Sequence, residues 1–194
     1  MLKKELEQQT IILGSKSPRR KELLKSLGLS FKITNSTRKE NYPKTLKKTL
    51  IPEFLAKQKA IELSKHIKYN ELLITADTIV LLNKKVLNKP KTNSDAFKML
   101  SDLSNKSHQV ITGVCIKKLD KEITFSNTTQ VTFKKLSKEE INYYIKYYNP
   151  LDKAGGYGIQ DWIGKIGIYQ INGSYSNVMG LPLSELYQNL KKFV

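Results

Sequence analysis

Residues 72–82 are almost wholly apolar. A run of that length, rich in Leu, Ile and Val, reads as a buried central strand. Such a strand needs a sheet around it and apolar helix faces against the sheet. The flanking patterns supply both. Residues 10–13 form a short strand pattern. Residues 17–27 read as a helix, with Pro18 tolerated in its first turn and Gly28 closing it. Residues 31–33 give a brief strand, and 34–48 are polar and irregular, a mobile loop over a site. Residues 49–67 read as a helix with Pro52 in its first turn and Leu55, Ile61 and Leu63 on its apolar face.

The second half continues the mixture. Residues 93–103 read as a helix with Ala96, Met99, Leu100 and Leu103 inward. Residues 109–118 and 122–134 look like paired strands. Residues 137–148 read as a helix, because Ser137 followed three later by Glu140 is a capping box. Residues 157–160 and 166–171 read as short strands, and 183–193 as a closing helix. The fold class is α/β: a long central mixed sheet flanked by helices.

The length of 194 residues suits one domain, 1–194, with two lobes. No run approaches the roughly 18 apolar residues a membrane span needs. Residues 1–9 are polar, with no apolar core of a secretory signal. The lone cysteine, Cys115, excludes an internal disulfide and fits a reducing, cytoplasmic setting. It lies in an apolar run and reads as a buried strand residue rather than a nucleophile. The formal charge of +17 favours polyanionic partners. The lysines are dispersed, and no helix-turn-helix, zinc-finger or RRM pattern accompanies them, so nucleic acid is not the favoured partner.

Several residues break the pattern that folding alone would favour. Asp77 interrupts the apolar strand. Burying a carboxylate costs several kcal/mol unless it is paired or bound to a cation. Asp77 is therefore a candidate metal ligand or general base, or else an acid salt-bridged to a lysine. Upstream, a strand pattern runs through Gly14-Ser15-Lys16-Ser17-Pro18 into a helix that opens with Arg19 and Arg20. A helix N-terminus presents unpaired N–H groups and partial positive charge, and two arginines beside it make an anion site. Asn88-Lys89-Pro90 holds a lysine next to a rigid proline, suited to meet phosphate as a point charge. Lys57 and Lys59 lie on the helix that precedes the Asp77 strand. In Asp152-Lys153-Ala154-Gly155-Gly156-Tyr157-Gly158-Ile159-Gln160, the glycines imply positive φ or close backbone approach. The segment 172–183 offers hydroxyls and backbone amides before a helix start. Neither His66 nor His108 has a partner at zinc spacing, and no G-x-S-x-G elbow is present.

Taken in order, these segments resemble the Maf family of nucleoside triphosphate pyrophosphatases. The resemblance is carried by Ser15-Lys16-Ser17-Pro18-Arg19-Arg20, Ala76-Asp77-Thr78-Ile79-Val80, Asn88-Lys89-Pro90 and His108-Gln109-Val110-Ile111-Thr112-Gly113. Asp152-Lys153-Ala154-Gly155, Gly158-Ile159-Gln160, Ile171-Asn172-Gly173-Ser174-Tyr175 and Gly180-Leu181-Pro182-Leu183 complete the series. It implies a fold with a cleft between two lobes, commonly dimeric, and hydrolysis of a nucleoside triphosphate to monophosphate and pyrophosphate. A divalent cation, Mg²⁺ or Mn²⁺, is implied as cofactor. Asp77 matches the proton acceptor and a metal ligand. Ser15, Arg20, Lys59 and Lys89 match positions along the phosphate path. Arg19, Thr78 and Gln160 match positions that separate subfamilies, and here resemble the dTTP/UTP branch. The family's acidic motif after the second strand is reduced to Glu40, the expected second metal ligand. Two other readings stay open: a pyrophosphatase for modified or non-canonical nucleotides, and a binding protein of cell division.

Overall fold

The computed structural model describes residues 6, 8–37, 40–119 and 121–193. Among them, seven strands form one mixed sheet flanked by helices. The strands are β1 (Thr10–Gly14), β2 (Phe31–Thr34), β3 (Glu71–Leu82), β4 (Lys85–Leu87), β5 (Ser107–Lys118), β6 (Lys121–Phe133) and β7 (Ile168–Asn172). Their order is β2-β1-β3-β5-β6-β7, with β4 paired to β3. β1 runs parallel to β2 and to β3, with Ile12 opposite Lys32 on one side and Leu73 on the other. β4 and β7 are antiparallel additions, on β3 and β6 respectively. No helix among the described residues is long and apolar enough to cross a membrane.

The chain divides into two compact units. The first takes the described residues up to Asp77, those of 112–127, and those from Gly180 onward. It contains α1 (Pro18–Ser26), α2 (Ile51–Leu63) and α7 (Leu183–Leu190). α2 packs through Ala56, Ala60 and Leu63 against Ile12, Leu73 and Cys115. The alanines matter because a small side chain lets a helix backbone lie close to a sheet. Gly113 does the same from the sheet side: a Cβ there would sit 2.2 Å from the Glu53 backbone nitrogen. Cys115 is buried as the apolar run predicts, and burial pushes its thiol up to about 11, which leaves it inert.

The second unit takes 78–111 and 128–179. It contains α3 (Asn93–Leu103), α4 (Lys138–Tyr147), α5 (Trp162–Gly167) and α6 (Tyr175–Met179). α3 and α4 each begin with a full capping box, Thr92 with Asp95 and Ser137 with Glu140. Their apolar stripes carry Leu100, Leu103, Ile141 and Tyr144 into a core with Val131 and Phe133. Asn83 turns β3 into β4 with φ 54°, a conformation Asn accepts more readily than most residues.

Two short strand expectations are corrected. Residues 157–160 form a turn: the Asp161 amide donates to the Gly158 carbonyl, and the Gly158 amide donates to the Tyr144 hydroxyl instead of a strand neighbour. The strand expected over 166–171 begins at Ile168, because Trp162–Gly167 coils as α5. The helix expected over 49–67 is α2 with a 3-10 turn at each end, Lys48–Leu50 and Ser64–His66. That over 183–193 is α7 followed by the 3-10 turn Lys191–Phe193.

His108 sits inside the second core, stacked on Phe133 at 5.7 Å and edge-on to Tyr157 at 5.5 Å. Its Nε2 is 2.6 Å from the Tyr157 hydroxyl. Burial pushes its pKa from 6.5 down to about 4. Between those values the unfolded chain binds a proton that the folded chain refuses. The His108 contribution to stability is therefore intact above about pH 6.5 and declines as pH falls toward 4. In His108→Gln this decline disappears. Urea unfolding of both proteins from pH 7 to pH 4 should show their stability difference moving by up to about 3 kcal/mol. Parallel pH dependences would show that His108 titrates normally.

Candidate active site

Asp77 stands on β3 and is 6 % exposed. Lys59, on α2, reaches its Oδ1 with Nζ at 2.5 Å. The meeting follows from local packing. Thr75, two residues before Asp77, shares its face of the strand. Its hydroxyl donates to the Ala56 carbonyl at 2.7 Å. Ala56 is three residues before Lys59, so this bond fixes the helical turn that carries the lysine. Gly14 permits the same closeness from β1, since a Cβ there would lie 2.7 Å from Thr75 Cγ2 and Leu63 Cδ1.

The same ammonium also donates to Glu40 Oε1 at 2.8 Å. One cation thus joins two carboxylates, one buried and one exposed. Burial raises the Asp77 pKa above the ordinary 3.8; Lys59 and Arg20 pull it partly back, while Glu40 pushes the same way as burial. A carboxyl in that condition suits proton transfer near neutral pH better than a solvated aspartate does. The loop before α2 is tied at a second point, where the Thr37 hydroxyl donates to Glu62 at 3.1 Å. Lys57, on the same helix, turns away to Glu122 at 2.7 Å.

The start of α1 forms a second part of this unit's polar cluster. Ser15 is buried, and its Oγ accepts from the Ser17 amide at 3.2 Å and from Arg20 Nη1 at 3.3 Å. Arg20 Nε donates to the Gly180 carbonyl at 2.8 Å. These two oxygens help to aim the guanidinium. Desolvation lowers the Arg20 pKa, Asp77 and Glu40 support its charge, and Arg19 opposes it. Pro18 opens the helix, the Ser17 side chain makes no cap bond, and no acid stands in the first turn. Those features leave the N-terminal end of α1 suited to an anion.

Thr78, Lys89 and Gln160 belong to the second unit. Thr78 follows Asp77 on β3 and so faces the opposite side of the strand. Lys89 is exposed between Asn88, whose carbonyl accepts from the Gly155 amide at 3.2 Å, and buried Pro90. Gly155 and Gly156 have φ of 72° and 75°, as the glycine run predicts. A Cβ on Gly155 would press to 2.9 Å from Val80. Gln160 lies in the turn before α5, and its buried Oε1 has no hydrogen-bond partner. The first unit thus brings together Ser15, Arg20, Lys59, Asp77 and Glu40, with Arg19 close enough to act on Arg20 electrostatically.

Sequence reasoning missed Thr75 and the Gly180 carbonyl. The first was detectable as a hydroxyl two residues from Asp77 in an apolar strand. The second has no side-chain signal beyond a glycine before Leu181-Pro182, whose φ of 111° only glycine adopts easily. Among the described residues, no group of three or more His, Cys, Asp or Glu could hold a metal alone.

The chain matches the family described as Maf-like protein over residues 10–193. It is 53 % identical over 188 residues to a dTTP/UTP pyrophosphatase of Phocaeicola vulgatus, covering 96 % of this chain and 97 % of that one. It is 51 % identical over 187 residues to a dTTP/UTP pyrophosphatase of Flavobacterium psychrophilum, covering 96 % of both. Among solved structures, the Staphylococcus aureus Ham1 protein is similar in fold, with a TM-score of 0.56 at 13 % identity, covering 96 % of this chain and all of the other.

The Lys59–Asp77 bond makes a direct prediction. In Lys59→Met the nearest opposing charge is gone, so the Asp77 carboxyl should titrate higher than in the wild type. Carboxyl carbon NMR of the two proteins reads this without substrate. An unchanged midpoint would mean that Lys59 does not govern Asp77 in solution.

Proposed function

We propose that this chain, which belongs to the Maf family, hydrolyses dTTP and UTP to the monophosphate and pyrophosphate. The observation that carries the reading is the buried carboxylate of Asp77 held beside Lys59 and Arg20. A polyphosphate brings negative charge that competes for those cations. An ammonium drawn to phosphate releases Asp77 to act as a base. In this reading Ser15, Arg20, Lys59 and Lys89 bind the phosphate chain together with the N-terminus of α1. Arg19, Thr78 and Gln160 select the nucleotide. The Gln160 amide carries one acceptor and two donors, which matches the N3–H and O4 edge of thymine or uracil. Its unpartnered Oε1 supports that assignment.

Asp77 and Glu40 fit a divalent cation, Mg²⁺ or Mn²⁺, because both already share one cation, the Lys59 ammonium. One or two carboxylates plus phosphate oxygens are the donors such hard ions take. When bound, the ion neutralises phosphate charge and acidifies coordinated water. The reaction itself is in-line displacement. A water oxygen bonds to the α-phosphorus, the bond to the bridging oxygen breaks, and pyrophosphate leaves with that electron pair. Asp77 takes the water proton, and Lys59 and Arg20 offset the charge that develops on the phosphates. The same reading takes the protein to be a cytoplasmic homodimer.

Pyrophosphate release from dTTP, UTP, ITP and 7-methyl-GTP, with Mg²⁺ or Mn²⁺, tests the assignment. dTTP and UTP should be the best substrates. Asp77→Asn should bind dTTP and lose about a hundred- to ten-thousand-fold in turnover. Preference for ITP would move the protein to the non-canonical nucleotide class. Undiminished turnover by Asp77→Asn would remove Asp77 as the base.

A further inference from the structure

Resting on the reading that Gln160 meets the base, we propose that the Tyr144 hydroxyl is a positioning group for base selection, because it fixes the turn that carries Gln160. Tyr144 projects from α4 and is fully buried. Its hydroxyl donates to Asp161 Oδ2 at 2.7 Å and accepts from the Gly158 amide at 3.2 Å. Gly158 and Asp161 bracket Gln160, so one oxygen holds both ends of the four-residue turn. The Asp161 amide closes that turn on the Gly158 carbonyl at 3.1 Å.

The cost of this arrangement is visible locally. Asp161 occupies the N-cap position of α5, where an aspartate normally bonds to the first-turn amides, yet it makes no such bond. Its carboxylate is committed to Tyr144 and lies 3.5 Å from the nearly buried Lys153 ammonium. Lys153 in turn donates to Asp152 at 2.7 Å and to the Asn149 carbonyl. A Cβ on Gly158 would lie 2.6 Å from Asp161 Oδ2 and 3.0 Å from Lys153 Cε, so a side chain there would displace the carboxylate that Tyr144 holds. Burial and Asp161 raise the Tyr144 pKa above its ordinary 10, so the phenol remains a donor at any physiological pH.

Such rigidity has a chemical use. A glutamine amide presents an acceptor and a donor side by side, and thymine or uracil needs them in one order. Cytosine presents the reverse pattern, an acceptor at N3 and a donor at its amino group. A loosely held glutamine turns over and accepts either base. One held in a fixed turn discriminates between them.

The test compares kcat/KM for dTTP and dCTP. Gln160→Ala should lower the ratio, which establishes that Gln160 reads the base. Tyr144→Phe keeps the ring and removes only the hydroxyl. It should lower the dTTP:dCTP ratio about tenfold, the scale of one misplaced hydrogen bond. In the Gln160→Ala background, Tyr144→Phe should change the ratio no further. Asp161→Ala should lower it likewise, whereas Asp161→Asn, which retains an oxygen for the phenol, should preserve it. Equal loss on both nucleotides, with the ratio unchanged in Tyr144→Phe and Asp161→Ala, would overturn the proposal and leave only a structural role. If Gln160→Ala itself left the ratio unchanged, the base-reading assignment would fall, and this inference with it.

Discussion

A carboxylate in the middle of an apolar strand is the constraint around which the first unit is organised. Asp77 is almost fully buried, and its ionised form needs compensation on the spot. Lys59 supplies it at 2.5 Å, and only a helix lying close over β3 can present a lysine there. That requirement explains the small residues. Ala56 and Ala60 line the contact face of α2, and Gly14 and Gly113 leave room in the facing strands. A buried ion pair is a weak source of stability, since desolvation offsets much of the attraction. Alanine and glycine at the contact also bury less apolar surface than leucine or valine would. The unit therefore gives up packing area to keep a charged pair, which is understandable if the pair does chemistry.

Charge in this chain is handled by place rather than by amount. The net +17 arises from lysines spread along the sequence, and exposed ion pairs such as Lys57–Glu122 and Lys85–Asp102 contribute little each. Arg20 differs. Its guanidinium is aimed by the Ser15 hydroxyl and the Gly180 carbonyl, and it is desolvated while its neighbour Arg19 carries the same sign. Asp77 and Glu40 support the Arg20 charge, and the helix N-terminus beside it adds to the suitability of the place for an anion. Lys59 is the opposite case, a cation held between two carboxylates.

What the sequence revealed depended on whether the signal was local. The apolar run of β3, the capping box at Ser137 and the glycines at 155 and 156 each encode their structure within a few residues, and each was legible. So was the anomaly of Asp77, because a carboxylate in an apolar run is conspicuous without any partner. Its partner was not. Lys57 and Lys59 are two residues apart on one helix, and which of them faces the strand is set by the packing of Ala56, Ala60 and Leu63 together with the bond from Thr75 to Ala56. The turn at 157–160 reads as a strand in the sequence, where it follows a glycine pair. The competing force was a side chain distant in sequence, Tyr144, which took the Gly158 amide out of any ladder. β4 is not legible, since three residues after an Asn-Lys turn carry almost no periodic signal.

Asp77 and Gln160 are held by different kinds of structure. Asp77 rides on β3, a strand with neighbours on both sides, where the backbone is fixed by ladder bonds that any sequence can make. Gln160 rides in a turn whose shape is set by specific side chains: Tyr144, Asp161 and the absent side chain of Gly158. Ladder bonds do not depend on side-chain identity, so the Asp77 backbone keeps its position through considerable drift in the strand's sequence. Substitution among the turn's few polar groups alters the angle at which an amide is presented while leaving Asp77 and Lys59 untouched. If Asp77 carries the chemistry and Gln160 reads the base, as proposed, the chemistry can stay constant while nucleotide preference is retuned, because the two residues are held by different bonds.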